Sequence, residues 1–490
     1  MPDRIKQINA IWAAIAAASA SICLVAIVLD DEGFSRFAGA AVPIFSGSSF
    51  LALSLWSFYE RPDLLWSPLV WFFAACGVYF GLGPLIYYFG TPESIQFVNN
   101  YYPVSYSGLI ETNLLNAVGV GVAALAFGIA NRWLPADAES SPEIDVTQVT
   151  YAKRVVLIFL AIGLPIQVFL SFPVAIGILN WTPPNAVTQM GGFIDLSLIP
   201  IYWLAHITRR TAYRILFYVL IAFELLLAIA TLSKFQILLV LILGGLARLL
   251  VKPSFRDFAI AGAIMGILYI AILQPFVSYG RIILQKNNAQ STFELISALY
   301  GFTSEGQSAL SVAQPGLQQW WVRIDYSNAE LFAMNSFENG SPGDTISNVL
   351  YYFIPRFLDP EKPSLNPGID FTIRVKGTAI AANSTTPCTF GEGYWDAGWV
   401  GVVGVGGIMG SLFALFTWLS RSIVVQRRFL YLPVVMFGIL LGGTPDGWFG
   451  LYYIGQTIII FSTAIILWLI EPLLMGDNKL VPEMPAPSLL

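Results

Sequence analysis

The sequence predicts an all-α polytopic membrane protein of about twelve transmembrane helices, with one large, partly helical external loop between helices nine and ten. Three observations carry this. Of 490 residues, 56% are hydrophobic and only 11% charged, with a mean hydropathy of +0.69; a soluble domain has about a quarter charged. Twelve apolar runs have the length, roughly 20 residues, that crosses a bilayer. The Lys and Arg residues also fall on alternate sides of those runs, as the positive-inside rule requires.

The runs lie at 8–29, 37–58, 67–89, 109–130, 154–179, 190–207, 215–232, 235–251, 257–276, 397–420, 429–447 and 449–471. With an internal N-terminus, sixteen of the 25 basic residues are cytoplasmic, among them Arg61, Arg154, Arg209, Arg210, Arg427 and Arg428. Arg36 and Lys234 alone occupy short external loops, and the remaining seven all fall in 277–396. The first run lacks a small-residue cleavage site before "DDEGF", so it is expected to be retained as a helix. The chain thus divides into helices one to nine (1–276), the external loop (277–396), helices ten to twelve (397–471) and a cytoplasmic tail (472–490). The polar, acidic stretch 131–153 reads as a cytoplasmic linker.

A 120-residue loop is too long to be a passive connection. "STFELISALYGF" (291–302) has helical apolar spacing. "SNAELFAMNSF" (327–337) places Ser327 and Glu330 as a capping box. "PGDTISNVLYYFIP" (342–355) reads as a helix capped by Asp344 and stopped by Pro355. The strip "RFLDPEKPSLNPG" follows, then "GIDFTIRVKGTAIAANS" and "FGEGYWDAGWVG" at the mouth of helix ten.

The residue inventory excludes several functions. No basic cluster or basic helix marks a nucleic-acid footprint. Three scattered cysteines (23, 76, 388) and the single His206, at a helix end, make neither a disulfide framework nor a His/Cys metal cage. No metal or cofactor is expected, although an oxygen-ligated divalent ion is chemically open.

The external side gathers cations and acids instead. Arg281, Arg356, Lys362, Arg374 and Lys376 suit a phosphate or pyrophosphate. Tyr394 and Trp395 could stack on sugar, and Glu392, with Asp396 second, could act as general base on a sugar hydroxyl. Glu111, Asp195 and Asp446 lie in outer helix portions, and Glu224 lies deeper. The plain alternative reads "GEGYWDAGWVG" as a loop-to-helix junction in which Asp396 caps helix ten. The glycines beyond it, Gly401, Gly404, Gly406, Gly407 and Gly410, then form a close-packing face.

"NVLYYFIPRFLDPEKPSLNPG" followed by "FGEGYWDAGWVGVVG" resembles the C-terminal half of the Wzy-type polysaccharide polymerases of bacterial inner membranes. The matching residues are Ile354, Pro355, Arg356, Pro360, Lys362 and Pro363, then Gly391, Glu392, Tyr394, Asp396, Gly398 and Gly401. The resemblance covers about 50 residues plus the helix layout. It implies a GT-C-like, metal-independent glycosyltransferase, an O-antigen or oligosaccharide-repeat-unit polymerase. Its substrates would be undecaprenyl-pyrophosphate-linked oligosaccharide and the growing polysaccharide, its active site periplasmic and both termini cytoplasmic. A chain-length regulator and a flippase are the further partners implied. An O-antigen ligase and a lipid-linked sugar flippase or transporter are the alternatives. This chain lacks the external histidine of ligases, and a flippase has no need of the long loop.

Overall fold

Long apolar runs become helices wherever the chain is described, because hydrocarbon leaves backbone polar groups no partner except each other. The structure is a computed structural model. It describes residues 2–135, 146–175, 178–179, 185–274, 277, 317–354, 359, 361, 367–377 and 384–475, and no strand occurs among them. In chain order the elements are α1 (Arg4–Leu29), α2 (Glu32–Glu60), α3 (Pro68–Phe89), the short α4 (Pro92–Asn99) and α5 (Tyr106–Trp133). Then come α6 (Val146–Ala175), α7 (Val187–Thr208), α8 (Thr211–Ala230), α9 (Lys234–Val251) and α10 (Phe255–Leu273). Outside these spans lie α11 (Ser327–Glu338) and α12 (Pro367–Lys376). Last are α13 (Cys388–Val425), α14 (Phe429–Gly443) and α15 (Phe449–Pro472).

Eleven of these, among the described residues, are long and apolar enough to cross a membrane, and α14 is a shorter apolar helix. The expected run 429–447 stops at Gly443 because Thr444 precedes Pro445, and a residue before proline is driven out of the helical region. The expected helix at 291–302 lies outside the described residues.

The chain forms two units. One comprises Met1–Glu139, Ala313–Val425 and Pro433–Thr463. Its helices α5 and α13 pack at glycine: a Cβ on Gly406 would sit 2.8 Å from the Gly119 carbonyl oxygen, and one on Gly410 would sit 2.1 Å from that of Ala123. That is the small-residue packing of membrane helices. The expected glycine face holds at Gly406 and Gly410; Gly404 and Gly407 face open space. Trp12, fully buried, is surrounded by Phe72, Phe73 and Phe127 with ring centroids 5.3 to 5.9 Å away.

The other unit comprises Ser140–Val312, Gln426–Leu432 and Ala464–Leu490. Within it α7 packs on α6, α8 and α9. Ile194 sits against Gly163, where a Cβ would come within 2.8 Å of it. Glu471 accepts from Arg428 at 2.9 Å and from the Tyr431 hydroxyl at 2.7 Å.

The largest departure from the sequence reading is at the opening of α13. The chain is helical from Cys388, whereas a loop is expected up to residue 396. The helix then breaks at Ala397 (φ −148°, ψ 22°) and Gly398 (φ 58°, ψ −146°). Gly398 is required there, because a Cβ pays a steric penalty at that positive φ. The two arms fold close: a Cβ on Gly401 would lie 1.8 Å from the Gly393 carbonyl oxygen. Glycine spacing in "GEGYWDAGWVG" therefore encodes a sharp helix reversal.

Candidate functional site

The first unit carries a short extramembrane layer on one end of its helices, and polar contacts fasten it there. Gln318 donates from its backbone to Ser94 Oγ at 2.8 Å and accepts from the Thr91 N–H at 3.0 Å. Trp321 Nε1 donates to the Leu82 carbonyl at 2.7 Å. Asn328 Nδ2 reaches the Val98 carbonyl at 2.9 Å, and Asn335 Nδ2 reaches the Tyr102 hydroxyl at 2.8 Å. Each such bond contributes about 1 kcal/mol net. Together they fasten α11 and the segment before it to α3, α4 and the turn after α4, and α11 packs on α13 and α5.

Seating α11 buries acids. Glu330, 2% exposed, accepts from Asn116 Nδ2 of α5 at 3.1 and 3.0 Å. The capping box expected of Ser327 and Glu330 therefore does not form. Residue Tyr326 precedes the helix without a side-chain cap, and Ser327 donates to Asp325 Oδ1 at 2.9 Å instead. Glu330 has the stronger claim on Asn116, because an amide inside the helix layer has no water to turn to. Tyr326 donates its hydroxyl to Asp446 Oδ2 at 3.1 Å. Burial pushes the carboxyl of Glu330 up to about 8, against the pull of Asn116 and Cys388. It pushes Asp325 and Asp446 up to about 6 each, against hydrogen bonds from Ser327 and Tyr326 respectively. Among the described residues no Lys or Arg pairs with any of the three. Glu330 therefore carries its proton at neutral pH, while Asp325 and Asp446 take theirs up as pH falls through about 6.

The opening stretch lies beside this cluster. Glu392 is 1% exposed and accepts the backbone N–H of Phe449, the first residue of α15; the Gly450 N–H and the Thr345 hydroxyl also reach it. It thus satisfies the N-terminus of another membrane helix, where acids are favoured. Asp396 does not cap its own helix, as the plain reading expects. It accepts the Thr345 hydroxyl at 2.8 Å and the Ile346 N–H. It thereby ties down the turn Ser347–Phe353, a 3₁₀ segment in place of the expected α-helix, whose N-cap position is Ile346 rather than Asp344. The helix reversal at Gly398 points Asp396 out of α13, so its own N-terminus is not its target.

The aromatic pair is enclosed. Trp395 is 2% exposed, packs with Phe371 and Trp448, and lies under the Arg374 guanidinium at 5.2 Å. Tyr394 donates to Glu338 Oε1 at 3.0 Å between Phe337 and Trp399. Arg374 is exposed on its outer side, and Lys376 lies 4.7 Å from the centre of the Tyr101 ring. Arg374, Lys376, Glu392, Tyr394, Trp395 and Asp396 are therefore brought to one end of this unit. Arg281, Arg356 and Lys362 lie outside the described residues.

A cavity of about 530 Å³ opens at the same end. Asp30, Glu32, Ser35, Asn99, Ser105 and Ser107 give it polar walls, while Ile95, Val104 and Leu109 give it apolar ones. Sequence reasoning does not find it, since its walls come from the ends of α2, α3, α4 and α5 and the turns between them. Asp325 and Asn116 also escape that reasoning. An asparagine in the apolar helix "ETNLLNAVG" was the available signal, for it needs a partner. Among the described residues no group of three or more His, Cys, Asp or Glu could hold a metal ion. No family model matches the chain, and no curated protein or solved structure matches it.

Proposed function

We propose that the chain is a membrane glycosyltransferase that polymerises undecaprenyl-pyrophosphate-linked oligosaccharide repeat units into a surface polysaccharide, on the periplasmic face of a bacterial inner membrane. The observation that carries this reading is the seating of the extramembrane layer on the ends of α5 and α13. It gathers cations, acids and a polar cavity where the lipid-facing helices end, so a substrate could keep its lipid tail in the bilayer. The resemblance of 348–368 and 390–404 to Wzy-type polymerases supports the same reading.

In the reaction an acceptor sugar hydroxyl attacks the anomeric carbon of the donor. The bond from that carbon to the pyrophosphate oxygen breaks, the pyrophosphate leaves with the electron pair, and the hydroxyl's proton passes to an oxygen of the departing pyrophosphate. Arg374 and Lys376 are the described cations placed to neutralise it, with Arg281, Arg356 and Lys362 joining them on sequence grounds. Glu392, buried behind the Phe449 N–H, holds α15 in register with α13, and Asp396 holds the turn that follows α11.

A deletion strain tests the reading. Single repeat units capping the lipid A-core mean polymerase, and accumulated lipid-linked polymer means ligase. Reporter fusions at residues near 140 and 320 should report opposite sides of the membrane; the same side would overturn the orientation. A second reading, a transporter of lipid-linked sugar, draws on Asp195 and Glu224, buried within the second unit. Both Glu224 oxygens and one of Asp195 lack a hydrogen-bond partner among the described residues. Complete loss of surface glycan, with repeat units trapped inside, would favour it.

A further inference from the structure

We propose that the cavity between the α1–α2 connection and the start of α5 binds an uncharged saccharide, and that under the reading above it is the subsite for the acceptor sugar. Its volume, about 530 Å³, lies within the roughly 300–1,000 Å³ of ligand sites.

The wall chemistry selects the ligand. Asp30 and Glu32 offer carboxylates, which accept hydrogen bonds from vicinal hydroxyls. Ser35, Ser105 and Ser107 add hydroxyls that can donate or accept. Ile95, Val104 and Leu109 supply the apolar surface that the C–H face of a sugar ring needs. Among the described residues no Lys or Arg lines the cavity, and Arg36 is laid over the Tyr106 ring with 5.5 Å between guanidinium and centroid. Two carboxylates without a lining cation repel a pyrophosphate, so the anion belongs elsewhere, with the arginines.

The walls are also held in place. The Asn99 side chain accepts the Val104 N–H at 3.1 Å. Ser105 caps α5 through the Gly108 N–H at 3.1 Å and lies 2.9 Å from Ser107 Oγ. Asp31 caps α2 through the Phe34 N–H at 2.7 Å. Asp30 stands at φ 47°, the left-handed conformation in which helices commonly end, and its N–H closes α1 on the Ala26 carbonyl at 3.2 Å. Such fixed geometry lowers the cost of ordering a flexible, hydroxyl-rich ligand.

The test uses purified full-length protein in nanodiscs and two probes. One is the single repeat oligosaccharide released by mild acid from the producing cell's own surface polysaccharide. The other is undecaprenyl pyrophosphate without sugar. Wild type should bind both. Ser107→Trp, which fills the cavity, should weaken the oligosaccharide at least about tenfold, and Glu32→Gln, which cannot disturb the fold by size, about threefold to tenfold, as expected for a lost charged hydrogen bond. Binding of the pyrophosphate lipid should be unchanged in both. Oligosaccharide binding equal to wild type in both variants would overturn the cavity assignment, as would loss of pyrophosphate-lipid binding alone. The deletion strain reports separately: normal polymer there would remove the polymerase reading while leaving a saccharide site standing.

Discussion

Glu392 and Glu330 of the first unit, with the half-buried Asp396, and Glu224 of the second are acids treated in opposite ways. At the layered end of the first unit, Glu392 receives the Phe449 N–H, Asp396 the Thr345 hydroxyl and Glu330 the Asn116 amide. In the second unit Glu224 is fully buried with both oxygens unpartnered among the described residues, and one oxygen of Asp195 is unpartnered there too. Both settings look alike in sequence, as single acids among apolar residues. The difference teaches that burial alone assigns no role. A buried acid given donors ties elements together, and one left without them is a group that structure does not need.

Four measurements break or sharpen that contrast. The largest effect is expected at Glu392. Ala strands the Phe449 N–H and opens a void, costing about 2–4 kcal/mol, whereas Gln keeps an acceptor and costs about 1 kcal/mol. Thermal melts in detergent read both, and an Ala variant melting like wild type would remove the tie. Gln at normal abundance should still polymerise. Loss of polymer there would return Glu392 to the chemistry as a base.

The second measurement is pH. Glu330, Asp325 and Asp446 have carboxyls raised to about 8, 6 and 6 in the fold, above their ordinary values. Raised groups bind more protons folded than unfolded, so their contribution is complete below about pH 4 and is lost as pH climbs through about 6 for the two aspartates and about 8 for Glu330. Melting temperature should fall between pH 5 and pH 9, and the fall should shrink in Glu330→Gln. A flat profile would mean that these acids are ionised and paired.

The third concerns the helix reversal. Gly398→Ala adds a side chain at φ 58° and brings it 2.8 Å from the Phe337 ring, so a loss of about 1–2 kcal/mol is expected. Gly404→Ala, with nothing nearby, should change stability by less than about 0.5 kcal/mol. Equal losses would show that the reversal is not what requires glycine.

The smallest effect, and the one of opposite sign, belongs to the second unit. Glu224→Gln should leave stability unchanged or raise it by up to about 1 kcal/mol, because it removes an acid that has no donor among the described residues. A loss comparable to Glu392→Ala would reveal a donor and end the contrast.

The membrane helices were legible in the sequence because each is decided locally. Twenty apolar residues in hydrocarbon have no alternative to internal hydrogen bonds, and the eleven long spans follow the runs read from residues alone. Ser327–Glu338 was legible as a helix for the same local reason. Its capping box was not, since Glu330 found a donor 214 residues away in Asn116. Glu392 likewise meets its donor 57 residues on, and Asp396 meets Thr345 51 residues back. Hydrophobic periodicity reports which face of a helix is buried but not which polar group waits there, because side-chain partners depend on how distant elements pack. So the sequence determined which segments enter the membrane and which acids would be costly to bury. Only the tertiary structure decided which of those acids receive donors, and so which act as ties.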